Sequence, residues 1–185
     1  MPPNNFLVAL FFFIRILLTF KGDSMKKFKV FLCVSIFISS LSLFSQATDI
    51  PVETLPPEVK AVLEKYVDIL RNSGSLDNAA VKFKEIAGGS LVNEDGSLRS
   101  TVAQFGLKKD FNNVKHYANP IKITRVNVTF SNKDGYGKTA IKGKVYQIWI
   151  AKDDPAKGMP APIRVLVPEG HDSITTPKVT NIGSY

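Results

Sequence analysis

The chain holds two histidines, His116 and His171, and a single cysteine, Cys33. Imidazole exchanges protons most readily near neutrality, so each histidine is a candidate base. His116 stands beside Tyr117 at the expected end of a helix, where the negative end of the dipole favours a partly exposed histidine. His171 precedes Asp172 in a glycine-containing loop with no second histidine nearby, so metal-ligand spacing is lacking. There is no Gly-x-Ser-x-Gly elbow and no phosphate loop, and Gly88-Gly89-Ser90 reads as a helix stop. Asp68, between Val67 and Ile69, is expected to face solvent. Asp110 follows Lys108-Lys109 and is expected on the wet face of its helix. Tyr66 falls on an apolar stripe and reads as a core tyrosine. Neither a cofactor nor a metal is implied.

The compartment follows from residues 25–47. Met25 is followed by Lys26, Lys27 and Lys29, an apolar run over 30–44, and the small-x-small triplet Ser45-Gln46-Ala47. A basic start, a short apolar middle and such a triplet make a secretory signal, with cleavage expected between Ala47 and Thr48. The run spans about 22 Å as a helix, short of the ~30 Å hydrocarbon core, so a cleaved signal fits better than an anchor. Residues 6–20 are apolar too but carry Arg15 mid-run, at an insertion cost of about 2.5–3.5 kcal/mol, which makes a transmembrane pass the alternative reading for residues 1–24. They read as an upstream extension, with Met25 as the start. Export places the protein in the periplasm or outside the cell. Cys33 lies inside the signal, behind Phe31-Leu32 rather than small residues, so the mature chain has no thiol, disulfide or lipid attachment there.

Removing the leader changes the composition. Nine of the 13 phenylalanines precede Ala47, and the mature chain keeps 19 basic and 15 acidic side chains. Net +4 with scattered lysines is an ordinary solubility charge and excludes a nucleic-acid arm. The mature length suits one domain with its own core.

Residues 48–56 read as an extended lead-in. Pro57 suits a first helical position, and Val59, Val62, Leu63, Tyr66 and Leu70 predict a helix over 57–72. Leu76, Ala79, Ala80, Phe83, Ile86 and Ala87 predict a second, ending at Gly88-Gly89. Leu107, Phe111, Val114 and Ala118 mark a third. From Pro120 the period becomes two, with a phase slip near Thr124-Arg125 that suggests a β-bulge. Strands are expected after it, over 138–151, over 163–167 and over 178–185, four in a meander. The class is α+β, helices on one face of an antiparallel sheet. On the longest strand, Ile141, Val145 and Trp149 are placed on the helix-covered face. Tyr146, Ile148 and Ile150 fall on the other, which then needs its own cover.

The stretch "YVDILRNSGSLDNAAVKF" (66–83), the closing "KVTNIGSY" (178–185) and the element order between them resemble the NTF2-like superfamily. This is the cone-shaped α+β fold that includes ketosteroid isomerase and the polyketide-cyclase-like domains. The resemblance implies one domain over 57–185 with an apolar pocket between helices and curved sheet. Tyr66, Phe83, Tyr117 and Trp149 are the pocket candidates. Enzymatic members place a carboxylate base and a tyrosine or second acid there; Asp68, Asp110, Tyr66 and Tyr117 are the available counterparts, and no catalytic motif carries over. The expected function is therefore non-enzymatic binding of a small apolar ligand or a partner protein. A pocket enzyme of isomerase or dehydratase type is one alternative. An envelope-associated structural or adhesion protein working through its sheet face is another. A homodimer through Tyr146, Ile148 and Ile150, with Leu166 if it shares their face, is also expected. Nucleic acid is not, and membrane contact comes only through an uncleaved leader.

Overall fold

The computed structural model describes residues 47–154 and 162–183, which belong to one unit spanning Ser45–Tyr185. The upstream extension and all of the secretory signal but Ala47 lie outside the described residues. The elements run β1 (Thr48–Ile50), α1 (Pro57–Asn72), α2 (Leu76–Phe83), α3 (Lys108–Asn113), β2 (Ile123–Asp134), β3 (Ile141–Ile150), β4 (Ile163–Pro168) and β5 (Lys178–Asn181). The class is α+β, with an open antiparallel sheet in the order β1-β2-β3-β4-β5. The fifth strand is β1, taken from the lead-in. It pairs Thr48 with Val128 and Ile50 with Val126.

The bounds of α1 are those its residues dictate. Pro57 opens it, lacking an N–H that the first turn would leave unused, and Val59, Leu63, Tyr66, Val67, Ile69 and Leu70 are buried. α2 starts at Ser75, whose hydroxyl accepts from the Asn78 N–H at 3.2 Å. It is shorter than expected. Beyond Phe83 the chain leaves the helix and lies beside β5: Val179 N–H donates to Ile86 O at 2.8 Å and Gly88 N–H to Val179 O at 2.9 Å. Ile86 and Ala87 are buried as the period suggested, but through a parallel bridge to β5 rather than a helical turn. Gly88-Gly89 is therefore part of an edge cover, not a helix stop.

The third helical segment is composite: a π-helical stretch over Val102–Leu107, then α3, then a 3₁₀ turn over Val114–His116. Its buried stripe is Leu107, Asp110, Val114 and Tyr117, while Phe111 is only partly buried. Asp110 thus takes an inward position and is fully buried, which corrects its expected wet-face placement. The β2–β3 register shifts between Ile123 and Arg125, where the phase slip in the sequence calls for a bulge.

The two faces of β3 are exchanged relative to expectation. Tyr146, Ile148 and Ile150 lie in the main core with the helices, joined by Val126 from β2 and by Ile163 and Val165 from β4. Leu166 falls on the opposite face, in a small cluster with Ile141, Val145 and Ile174. The expected dimer face is thus interior at Tyr146, Ile148 and Ile150. The even positions of β3 are apolar from Tyr146 to its end, so the helices settle on that half.

Candidate functional site

Three of the four pocket candidates converge. Tyr66 and Phe83 are completely buried and Tyr117 nearly so. The Tyr66 and Phe83 rings are 5.1 Å apart and tilted by 50°. Trp149 does not join them. It lies on the opposite sheet face, partly exposed, with the Arg125 guanidinium 4.9 Å from its ring centre. Arg125 Nε in turn donates to Asp49 Oδ1 at 2.9 Å. The indole is thereby shielded from one side by a paired cation.

Asp110 is the polar centre of the interior. Tyr66 Oη donates to Asp110 Oδ2 at 2.5 Å, and the Gly183 N–H donates to the same oxygen at 2.9 Å. The short O–H···O separation is that of a charge-assisted bond. Burial, and secondarily the charge of Asp110, push the Tyr117 hydroxyl well above the usual phenol range. Tyr117 therefore keeps its proton at neutral pH and is no base there. Its carbonyl is held by Arg71 Nη2 at 2.9 Å, which also donates to Ala118 O. The Asp110 carboxylate joins α1, α3 and the chain after β5.

A raised tyrosine value has a checkable consequence. A group that holds its proton longer when folded stabilises the fold below its unfolded value, near pH 10, and that contribution is lost as pH rises. Stability is expected to decline above about pH 10, and Tyr117→Phe should make the decline shallower. Burial also raises Tyr146, which leaves a remainder. Urea midpoints from about pH 9 to 11 measure this; equal slopes in parent and variant would refute it.

Two clefts lie elsewhere. One, of about 480 Å³, runs between the lead-in, the start of α1 and the start of β2. Val52, Leu55, Pro57, Ile121 and Ile123 line it, with Glu53 and Lys60 as its charged groups. The other, of about 320 Å³, lies against β2, β3 and β4 and includes Thr129, Ser131, Asp134, Gln147 and Arg164. Asp110, Tyr66 and Tyr117 line neither.

The remaining candidates separate. Asp68 is exposed, as expected, and accepts from Asn72 Nδ2 at 2.6 Å, one helical turn away. The backbone of His116 receives the Asp153 N–H at 2.9 Å. His171 lies in the loop after β4, far along the chain from both. Among the described residues, no group of three or more His, Cys, Asp or Glu is placed to hold a metal ion, and no helix is long and apolar enough to cross a membrane. The cleft escaped sequence reasoning because Val52 and Leu55 fall in a lead-in without helical or strand period, and the alternation at Ile121 and Ile123 does not show that this lead-in lies beside them. No family model matches the chain, and neither a curated protein nor a solved structure is found to match it.

Proposed function

We propose that this chain is an exported, non-enzymatic binding module of the NTF2-like kind that takes a small apolar ligand. The site is the cleft between the lead-in and the start of β2, not the space between helices and sheet. The observation that carries this reading is the cleft's composition, five apolar side chains with one acid and one base at hand. Its volume of about 480 Å³ falls within the usual range for small-molecule sites. The interior argues the same way, because Tyr66, Phe83 and Tyr117 pack there as core. The one-sided helices and the bulged meander support the NTF2-like architecture, and the signal over 25–47 supports export.

The enzyme alternative has the Asp110–Tyr66 pair in its favour. Weighing against it, the bonded oxygen of Asp110 already takes two donors, and the pair lines neither cleft.

The test is a titration with anilinonaphthalene sulfonate, a fluorescent apolar probe. Saturable binding is expected. Ile121→Asp, which puts a charge on the partly exposed cleft wall, should weaken it about tenfold or more, the equivalent of losing one buried aliphatic side chain. Val81→Asp, on an exposed position of α2, should leave it unchanged. Equal probe affinity in the parent and Ile121→Asp would discard this site.

A further inference from the structure

We infer that the sheet face away from the helices carries a second binding site, for an acidic sugar, in the cleft of about 320 Å³ against β2, β3 and β4. The two-residue period puts its lining on one side of the sheet. Thr129 of β2 stands opposite Val145 of β3, and Gln147 of β3 stands opposite Arg164 of β4. Tyr146 between them turns the other way, into the main core. Ser131 shares the face of Thr129, and its partner across the ladder is Gly143, which lays no side chain over the strands. The cleft opens where that row of side chains is interrupted.

Arg164 is exposed, and among the described residues no carboxylate lies within ion-pair distance of it. Its neighbour is Gln147, whose amide oxygen, turned toward β4, accepts from Arg164 Nε and Nη2 at 3.3 Å. That contact orients the guanidinium without compensating its charge. The outer Nη1–Nη2 edge is left to take a carboxylate through two parallel bonds. At the other end of the cleft, Asp134 Oδ1 accepts the Ser90 N–H at 2.8 Å, and Ser90 Oγ donates to Thr180 O at 3.2 Å. Asp134 is thereby tied to the chain beside β5, with its second oxygen left for a ligand hydroxyl. Thr129 and Ser131, half-buried between these ends, offer hydroxyls that donate or accept. Val145 gives the C–H face of a ring an apolar contact.

A cation at one end, a carboxylate at the other and hydroxyls between them select a ligand with one anionic group and several hydroxyls. A hexuronic acid carries both on a single ring. Its carboxylate meets Arg164, and its hydroxyls meet Thr129, Ser131 and Asp134. A bare inorganic anion is drawn to Arg164 but repelled by Asp134, and a neutral sugar leaves the guanidinium unneutralised. These groups stand on three paired strands, so little ordering is needed on binding. No residue lines both this cleft and the one at the lead-in.

The test is an NMR titration of the ¹⁵N-labelled protein with D-glucuronate. Saturable shifts of the Thr129, Ser131, Gln147 and Arg164 amides are expected, with a Kd on the order of 1 mM. D-Glucose and inorganic phosphate should each bind at least about tenfold more weakly, since each forgoes part of the contacts. Arg164→Gln should weaken glucuronate about tenfold or more, and Arg164→Lys nearly as much, because an ammonium keeps the charge but loses the fork. Thr129→Val keeps the β-branched shape without the hydroxyl and should weaken binding about fivefold. Ile121→Asp, in the other cleft, should leave glucuronate binding unchanged, so the two sites fail separately. Phosphate bound as tightly as glucuronate would make this a plain anion site, and glucose bound as tightly would leave the guanidinium idle. Either result overturns the acidic-sugar site, as does parent affinity in Arg164→Gln or no saturation up to about 20 mM.

Discussion

Replacing Asp110 with alanine is expected to destabilise the domain by about 3–5 kcal/mol, from two bonds to a charged group worth about 1.5–3 kcal/mol each. Tyr66 Oη and the Gly183 N–H both donate to one oxygen of this fully buried side chain. Alanine leaves both donors without that acceptor, the Tyr66 hydroxyl on a fully buried side chain and the Gly183 N–H at a part-buried position. Relief from burying a carboxylate offsets part of the loss, which keeps the total below the sum of the upper values. Asp110→Asn retains an acceptor of nearly the same shape and should cost less than half as much. Tyr66→Phe removes a single bond and keeps the ring against Phe83, so about 1.5–3 kcal/mol is expected. Urea unfolding followed through Trp149, which lies on the other sheet face, reports all three. A loss under about 1 kcal/mol in Asp110→Ala would mean that water reaches the carboxylate, and the interior would then be open enough to hold a ligand.

Gly143→Ala is the second large effect, expected at about 3 kcal/mol or more, in the range kept for strain and overpacking at a special backbone position. Gly143 lies within β3, opposite Ser131 of β2 and Pro168 of β4. Its φ is +152°, and an added Cβ would sit 1.9 Å from the carbonyl oxygen of Val167 and 3.1 Å from the Glu169 nitrogen. Backbone atoms of a paired strand cannot swing aside as a side-chain end can. The β3–β4 pairing must open at that end. Gly74→Ala provides the comparison. It has φ +71° with nothing within 4 Å of an added Cβ, so only left-handed strain applies, about 1–2 kcal/mol. Equal losses for the two variants would falsify the claim that contact with β4, and not φ alone, reserves position 143 for glycine.

Element order was legible because it rests on local chemistry. Pro57 and the spacing of Val59, Leu63, Tyr66 and Leu70 specify α1 to its ends, since a helix needs only neighbours within a turn or two. The bulge beside Thr124-Arg125 was legible for the same reason, as a change of phase in a two-residue period.

What stayed hidden depends on partners far along the chain. Asp110 looks like a surface acid after two lysines, and its burial is supported by Tyr66, 44 residues earlier, and by the backbone of Gly183. Ile148 and Trp149 are adjacent and both apolar, so period cannot tell which faces the helices. That was decided by where α1 and α2 could close over a continuous apolar half of β3, leaving Trp149 to Arg125. Thr48–Ile50 is too short to show a period and the segment at Ala87 carries a helical one, yet both become paired because β2 and β5 present open edges to them. The sequence by itself determined the α+β class and the order of the helices and the four later strands, because those follow from contacts a few residues long. The tertiary structure alone decided which face is core and where the clefts lie, because each depends on groups brought together from separate elements.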